Sequence, residues 1–275
     1  MSRVVLITGC SSGIGRDLAQ RLAGSGYTVV ATARRAETLS GLQAALKLPL
    51  DVTIPDSVNR AVDCALQRFG RIDVLVNYAG YALPGALEEI SDEDVQKLFD
   101  VNVFGVMRMI RAVVPHMRYQ RAGRIINMSS IGGKLVVPAN GAYSATKFAL
   151  EALSDALRFE LAPFGIKVVL IEPGSIKTHF ADTAQAHAQE IFTNPDSPYR
   201  TLYRRSQQVT ADMRRHEPGP EAVSRVIQRA IEAKRPKARY LVAMSFPGRL
   251  VLHLGGSVWD LVVRRMFKMA PQGGF

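Results

Sequence analysis

The amino-acid sequence predicts an α/β fold, a doubly wound parallel sheet with helices on both faces. Three observations predict it. Short β-branched apolar runs alternate with amphipathic stretches from the first residues onward. The runs are continuously apolar, as expected of strands buried on both sides. A glycine-rich segment, Thr8-Gly9-Cys10-Ser11-Ser12-Gly13-Ile14-Gly15, separates the first run from the first amphipathic stretch.

The elements follow in order. Residues 4–8 read as a strand and 15–23 as a helix. Residues 27–32 form the second strand, 36–46 a helix, and 48–51 a short third strand. A helix over 56–68 is expected to be capped by Asp56 after Pro55. Residues 72–76 are a strand, and 94–119 read as one long helix. A strand at 124–128, a helix at 143–161 and a strand at 167–171 complete the alternation. Right-handed crossovers then wind helices onto both faces. Residues 179–216 are polar, carry Pro195 and Pro198, and show no clear strand; they read as a lid or binding loop. A helix at 221–234 and a strand at 239–244 follow. Residues 250–269 are apolar, broken at Gly255-Gly256, and end Arg264-Arg265-Met266-Phe267-Lys268. No repeat or linker divides the chain. Residues 1–275 therefore read as one domain. It comprises a nucleotide-binding and catalytic core (1–178), a substrate-loop region (179–216), and a C-terminal helix, strand and extension (217–275).

Composition excludes several classes. At 47% apolar and 21% charged residues, disorder is not expected. Cys10 and Cys64 are the two cysteines, with no CxxC, and the five histidines lack the HExxH spacing, so no metal site is expected. Free thiols fit a reducing, cytoplasmic setting. The opening apolar run is too short for a signal sequence, and no run of about 18 apolar residues suggests a membrane span.

The formal charge is +11. Residues 1–198 nearly balance, with 20 Lys/Arg against 19 Asp/Glu, so residues 199–275 carry almost all of the excess. A solvated basic surface is the preferred reading over an anionic partner such as a membrane face or an acyl carrier. Nucleic acid is not expected, since no recognition motif accompanies the charge.

The glycine segment has chemical meaning because of its place. Glycines allow positive φ and close backbone approach. A helix start offers free N–H groups and the positive dipole end, which suit a pyrophosphate. The spacing T-G-x-x-x-G-I-G differs from the common G-x-G-x-x-G and resembles that of the short-chain dehydrogenases/reductases. The resemblance covers roughly residues 3–244. It implies a Rossmann-type domain that binds a nicotinamide dinucleotide through Gly9, Ser11, Ser12, Gly13, Ile14 and Gly15. Where NAD-preferring proteins place an acid after the second strand, this chain has Ala33, followed by Arg34 and Arg35. A carboxylate would repel a 2′-phosphate and an arginine would pair with it, which points to NADP(H). Asp51, with Val52, matches the position that meets the adenine; a capping or turn role is the alternative. Asn77-Tyr78-Ala79-Gly80 matches the family's N-N-A-G, retaining Asn77, Ala79 and Gly80, while Tyr78 departs from it.

Tyr143-Ser144-Ala145-Thr146-Lys147 is a Y-x-x-x-K pattern, and four residues place Tyr143 and Lys147 on one helix face. Carbonyl reduction needs a proton donor beside the oxygen. A neighbouring ammonium is expected to favour the phenolate of a residue whose ordinary pKa is about 10. The resemblance assigns Tyr143 as acid–base and gives Lys147 a further contact with the nicotinamide ribose. It sets Ser130, favoured by spacing over its neighbour Ser129, on the substrate oxygen, and Asn102 as holder of a water that joins Lys147 to solvent; a helix-kink position without a chemical role is the alternative for Asn102. Pro173, Gly174, Ile176 and Thr178 match the segment that meets the nicotinamide.

The implied activity is carbonyl/alcohol interconversion. Leu135, Val136 and Val137, with Trp259 and Phe267, suggest a lipophilic substrate, and the opening strands look like the branch holding 17β-hydroxysteroid and retinol dehydrogenases. An NADPH-binding regulator or a lipid-binding scaffold without turnover is the alternative. Family members pair through the helices at 94–119 and 143–161, so a homodimer or homotetramer is expected. The C-terminal segment is expected to pack over the fold or at a subunit interface in preference to lying on a membrane surface.

Overall fold

A computed structural model of the chain describes residues 2–215, 217–244, 252 and 256–269. Seven parallel strands form one sheet. They are β1 (Val4–Ile7), β2 (Thr28–Ala33), β3 (Leu46–Pro49), β4 (Val74–Asn77), β5 (Gly123–Met128), β6 (Ile166–Pro173) and β7 (Arg239–Val242). Their order across the sheet is β3-β2-β1-β4-β5-β6-β7. The order reverses between β1 and β4, and the glycine turn emerges at that switch point.

Side chains alternate across each strand and so divide the core in two. Val5 and Ile7 of β1 join one apolar layer under α1 (Gly13–Gly24) and α9 (Glu221–Glu232). Val4 and Leu6 join the other, under α2 (Pro55–Phe69), α4 (Val106–Tyr119) and α5 (Gly141–Leu161). Burial on both faces is why the strands read as unbroken apolar runs.

Several local expectations are corrected. The helix expected over 36–46 is a single 3₁₀ turn, Ala36–Leu39, and β3 begins two residues early, at Leu46. Leu39 and Leu42 both plug the core at helix-like spacing, but Gly41 between them adopts φ +70° and turns the chain. Pro49, which has no N–H to give, closes an edge strand. Asp56 is not the cap of α2. Pro55 takes the first helical position, Ile54 precedes it without a side-chain bond, and Asp56 lies in the first turn, where its charge still suits the dipole.

The long helix expected over 94–119 is three pieces: α3 (Asp92–Phe99), a π-helical turn at Asp100–Gly105, and α4. The wide turn swings Asn102 inward. A Cβ on Gly105 would fall 2.7 Å from Val52 Cγ2, so the turn also needs a glycine to approach the segment that follows β3.

Residues 179–216 are largely helical rather than a loop: α6 (Phe180–His187), α7 (Gln189–Thr193) and α8 (Arg200–Arg214). Their polarity hid them, because they bury few apolar groups. Tyr203 is the main anchor. It is buried, stacks on Phe192 at 4.7 Å, donates to Glu89 and accepts from Ala86 N at 3.0 Å. Tyr199 donates to Glu88 beside it.

The last helix, α10 (Gly256–Phe267), packs on α8, where Arg205 Nε donates to Met266 O at 2.7 Å. Trp259 Nε1 donates to Val136 O at 2.7 Å, tying α10 to the segment after β5. The described part of the C-terminal segment thus lies over the fold; His216, His253, Gly255 and residues 245–251 fall outside the described residues. Among the described residues no helix is long and apolar enough to cross a membrane, and no group of three His, Cys, Asp or Glu side chains could hold a metal.

Candidate active site

The glycine turn joins β1 to α1. Gly9 and Gly13 adopt φ +78° and +56°. A Cβ on Gly15 would lie 2.3 Å from Gly9 O, so only glycine fits there. Ser12 precedes α1 in extended conformation and makes no side-chain cap, and the Ile14 amide of the first turn is directed at the Tyr78 hydroxyl oxygen. With the exposed Ser11 beside them, these residues could hold a pyrophosphate.

Around the turn, Thr8 Oγ1 accepts from Tyr78 N and Ala79 N, both at 3.0 Å, pinning the end of β4 to the end of β1. Asn77 Nδ2 donates to Asn127 Oδ1 at 2.9 Å, and Asn127 donates in turn to Ser154. Asn77 therefore points into the sheet interior and braces β5 against α5. Asp51 Oδ1 accepts from Thr53 N and Oγ1 at 2.9 and 2.7 Å, so the turn role weighed for it is present. Val52 is buried beside it. Arg34 and Arg35 are exposed past the end of β2 and make no ion pair among the described residues. Arg16 was not singled out from the sequence. It donates to Thr38 O and Ser40 O at 3.0 and 2.9 Å and holds the segment after Arg35 against α1.

At the other end of the crevice, β5 delivers Ser130 and α5 delivers Tyr143 and Lys147. Ser130 Oγ accepts from Gly132 N at 3.1 Å, and a Cβ on Gly132 would sit 3.4 Å from Tyr143 Cε1 and 3.5 Å from Ser130 Oγ. Gly132 thus lies in van der Waals range of both groups. Tyr143 is 8% exposed, with Phe180 of α6 edge-on at 5.9 Å. Lys147 Nζ lies 5.5 Å from the Tyr143 ring centre and donates to Met128 O at 2.9 Å. Gly80 closes the wall, its Cβ position 2.9 Å from Asn102 Oδ1 and 3.9 Å from Lys147 Nζ. Asn102 Oδ1 accepts from Tyr81 N at 3.1 Å, and its Nδ2 donates to Tyr81 O at 2.9 Å and Thr146 Oγ1 at 3.1 Å. Gly174 N donates to Val242 O at 2.8 Å, so β7 fixes the segment Pro173–Thr178; Ile176 packs on the α1 layer and Thr178 lies against Gly13.

The electrostatics correct one expectation. Burial pushes the Tyr143 hydroxyl up to about 12, and hydrogen bonding with Ser130 only partly opposes it. Burial also lowers the Lys147 ammonium to about 8, against the pull of Glu151. The ammonium does not by itself make a phenolate here, because Lys147 is turned to a carbonyl and both groups are stripped of water. Tyr143 is a neutral phenol across the neutral range, the form that donates a proton.

One helical turn beyond Lys147 lies a charge cluster the sequence reading passed over. Glu151 and Glu172 are buried. Lys134 reaches Glu151 at 2.8 Å, and Arg239 reaches Glu151, Glu172 and Asp155 at 3.0, 3.2 and 2.7 Å. Burial first, and then the Glu151 carboxylate, raise the Glu172 carboxyl from 4.5 to about 7. A carboxyl raised on folding stabilises the fold most at low pH, and this contribution fades as pH rises through the folded value. The melting temperature is expected to fall from pH 5.5 to pH 8, and to fall less in Glu172→Gln. Parallel melting curves of the two proteins would refute the shift.

Comparison with known proteins agrees with the fold. The short chain dehydrogenase family model matches residues 3–189. This chain is a short-chain dehydrogenase/reductase. It is 39% identical over 238 residues to 3-ketodihydrosphingosine reductase of Bacteroides thetaiotaomicron, covering 86% of each chain. Human 17-beta-hydroxysteroid dehydrogenase type 1 is 36% identical over 258 residues, covering 88% of this chain and 78% of that one. A solved short-chain dehydrogenase from Streptomyces avermitilis superposes with TM-score 0.78 at 34% identity, covering 98% and 97%. A 3-ketoacyl-(acyl-carrier-protein) reductase from Brucella melitensis, solved with NADH, gives TM-score 0.72 at 29% identity over 87% and 95%. A metagenomic short-chain oxidoreductase, solved with NADP, gives 0.69 at 26% over 89% and 98%. The parallel sheet and its switch-point crevice are those of the short-chain dehydrogenase/reductase fold, and the family's oxidoreductase chemistry uses a nicotinamide cofactor.

Proposed function

We propose that this chain interconverts a carbonyl and an alcohol on a lipophilic substrate, using NADP(H). The observation that carries this is the meeting of Ser130 and Tyr143 beside Gly132, with Lys147 Nζ 5.5 Å from the Tyr143 ring centre. In reduction Tyr143 gives its proton to the carbonyl oxygen, and in oxidation it takes one back. Ser130 hydrogen-bonds the same oxygen and orients it. Lys147 supplies positive charge near the phenol. The bound nicotinamide supplies or accepts the hydride. The Asn102 side chain is already engaged by Tyr81 and Thr146, so a relay water would have to use its main-chain carbonyl.

Support for NADP(H) comes from Ala33 in place of an acid, and from the exposed guanidinium groups of Arg34 and Arg35. Arg34→Asp is expected to raise the KM for NADPH about tenfold, the loss of one charge-assisted pair, with little change for NADH. Equal effects on both would remove the 2′-phosphate contact.

Support for a lipophilic substrate comes from the surroundings of Tyr143, which shares an apolar cluster with Leu83, Ala142 and Ala184. Val136 stands 44% exposed opposite α10. The relatives named for 3-ketodihydrosphingosine and for 17-beta-hydroxysteroid fit the same view. The test is NADPH oxidation against apolar ketones and aldehydes and against sugars. Turnover with the first group is expected; NADPH binding without turnover on any member would favour a regulator or scaffold instead. Exposed Phe104, Phe148 and Phe159 along the π turn and α5 suit pairing of subunits into a homodimer or homotetramer. The whole chain is read as one catalytic domain in the cytoplasm.

A further inference from the structure

Tyr78 stands where the family's motif carries an asparagine, and its ring runs beneath the glycine turn. Its Cδ1 lies 3.2 Å from the Cβ position of Gly9 and 2.7 Å from that of Gly15. Its hydroxyl emerges 3.3 Å from the Cβ position of Gly13, and Thr178 Cβ and Cγ2 lie 3.5 Å from the same point. The main chain at 78 and 79 is pinned by Thr8 Oγ1, so the ring is aimed by the sheet itself. The hydroxyl therefore opens at the junction of the uncapped α1 start and the segment after β6. The Ile14 amide is directed at its oxygen, and among the described residues no carbonyl or carboxylate accepts its proton in a hydrogen bond. An asparagine side chain would end well short of this junction.

We infer that Tyr78 is a dinucleotide-binding residue, whose phenol donates a hydrogen bond to the pyrophosphate seated between Ile14 and Thr178. The inference rests on the reading of the glycine turn as a dinucleotide cradle. Burial raises the hydroxyl to about 12, with the Ile14 amide opposing, so the phenol keeps its proton at all working pH values. The ring also explains the third glycine from a second side: a Cβ on Gly15 meets Tyr78 as well as Gly9 O. Tyr78 thus supplies to the phosphate a donor that lies outside the backbone amides, held at fixed length by a rigid ring.

Tyr78→Phe keeps the ring and removes only the hydroxyl. Fluorescence titration of wild type and variant would use three probes: NADPH, ADP-ribose 2′-phosphate, and adenosine 2′-phosphate. The first two carry a pyrophosphate and the third does not. Loss of one hydrogen bond to a charged group is expected to raise Kd about tenfold for the first two and to leave the third unchanged. The melting temperature of the free variant checks that the turn still folds. Equal weakening of all three, or no weakening of NADPH, would overturn the assignment. If wild type bound none of them, the reading of the glycine turn would itself fall.

Discussion

Tyr143→Phe is expected to lower turnover by about a thousandfold or more, within the range general acid–base groups supply, while NADPH binds as before. The change removes one oxygen from a ring already buried and packed against Phe180, so the fold has little reason to respond. Single-turnover assays at saturating NADPH, with a separate binding titration, distinguish lost chemistry from lost binding. A variant turning over near the wild-type rate would mean that another group supplies the proton. The pH dependence gives a second check. Because the phenol stays protonated and Lys147 loses its charge at about 8, the reductive rate is expected to hold through the neutral range and decline above it. A rate climbing through pH 8 would argue that Lys147 charge does not matter.

Gly15→Ala is expected to damage both binding and stability. The new Cβ would lie 2.3 Å from Gly9 O and 2.7 Å from Tyr78 Cδ1. The first contact is with backbone, and the second is with a ring pinned at its own main chain, so neither can yield cheaply. Overpacking of this kind costs about 1–3 kcal/mol. The turn must shift, which misplaces the Ile14 amide, and NADPH affinity is expected to fall by more than about a hundredfold, comparable to losing two charge-assisted hydrogen bonds. Thermal melting and fluorescence titration read the two effects separately. Normal binding in this variant would show that the turn is looser than its contacts imply.

Much of the site was legible because its parts depend on short spacings. Tyr143 and Lys147 share a face by helical period alone, and the glycine turn is marked by its place between a strand and a helix. The π turn at Asn102 was legible only as the alternative of a helix kink. Residues 94–119 carry an apolar stripe at ordinary helical spacing, and the extra residue in the turn is drawn inward by Tyr81 and Thr146, which lie 21 and 44 positions away. The helices of 179–216 were hidden for a related reason. Tyr203 is their anchor, and its partners Ala86 and Glu89 lie more than a hundred residues earlier. The state of Tyr143 escaped prediction because a pattern of residues carries no measure of water. The ammonium nearby is visible in sequence, but the burial that keeps the phenol neutral is not.

By itself the sequence determined the order of the seven strands along the chain and the two-sided core. These follow from local periodicity and from the few residues that allow a sharp turn. Tertiary structure alone decided where Asn102 points, what the Tyr78 hydroxyl faces, and which way the Tyr143 and Lys147 equilibria move. Each of those depends on groups distant in the chain and on the exclusion of solvent, and both arise only when the layers close.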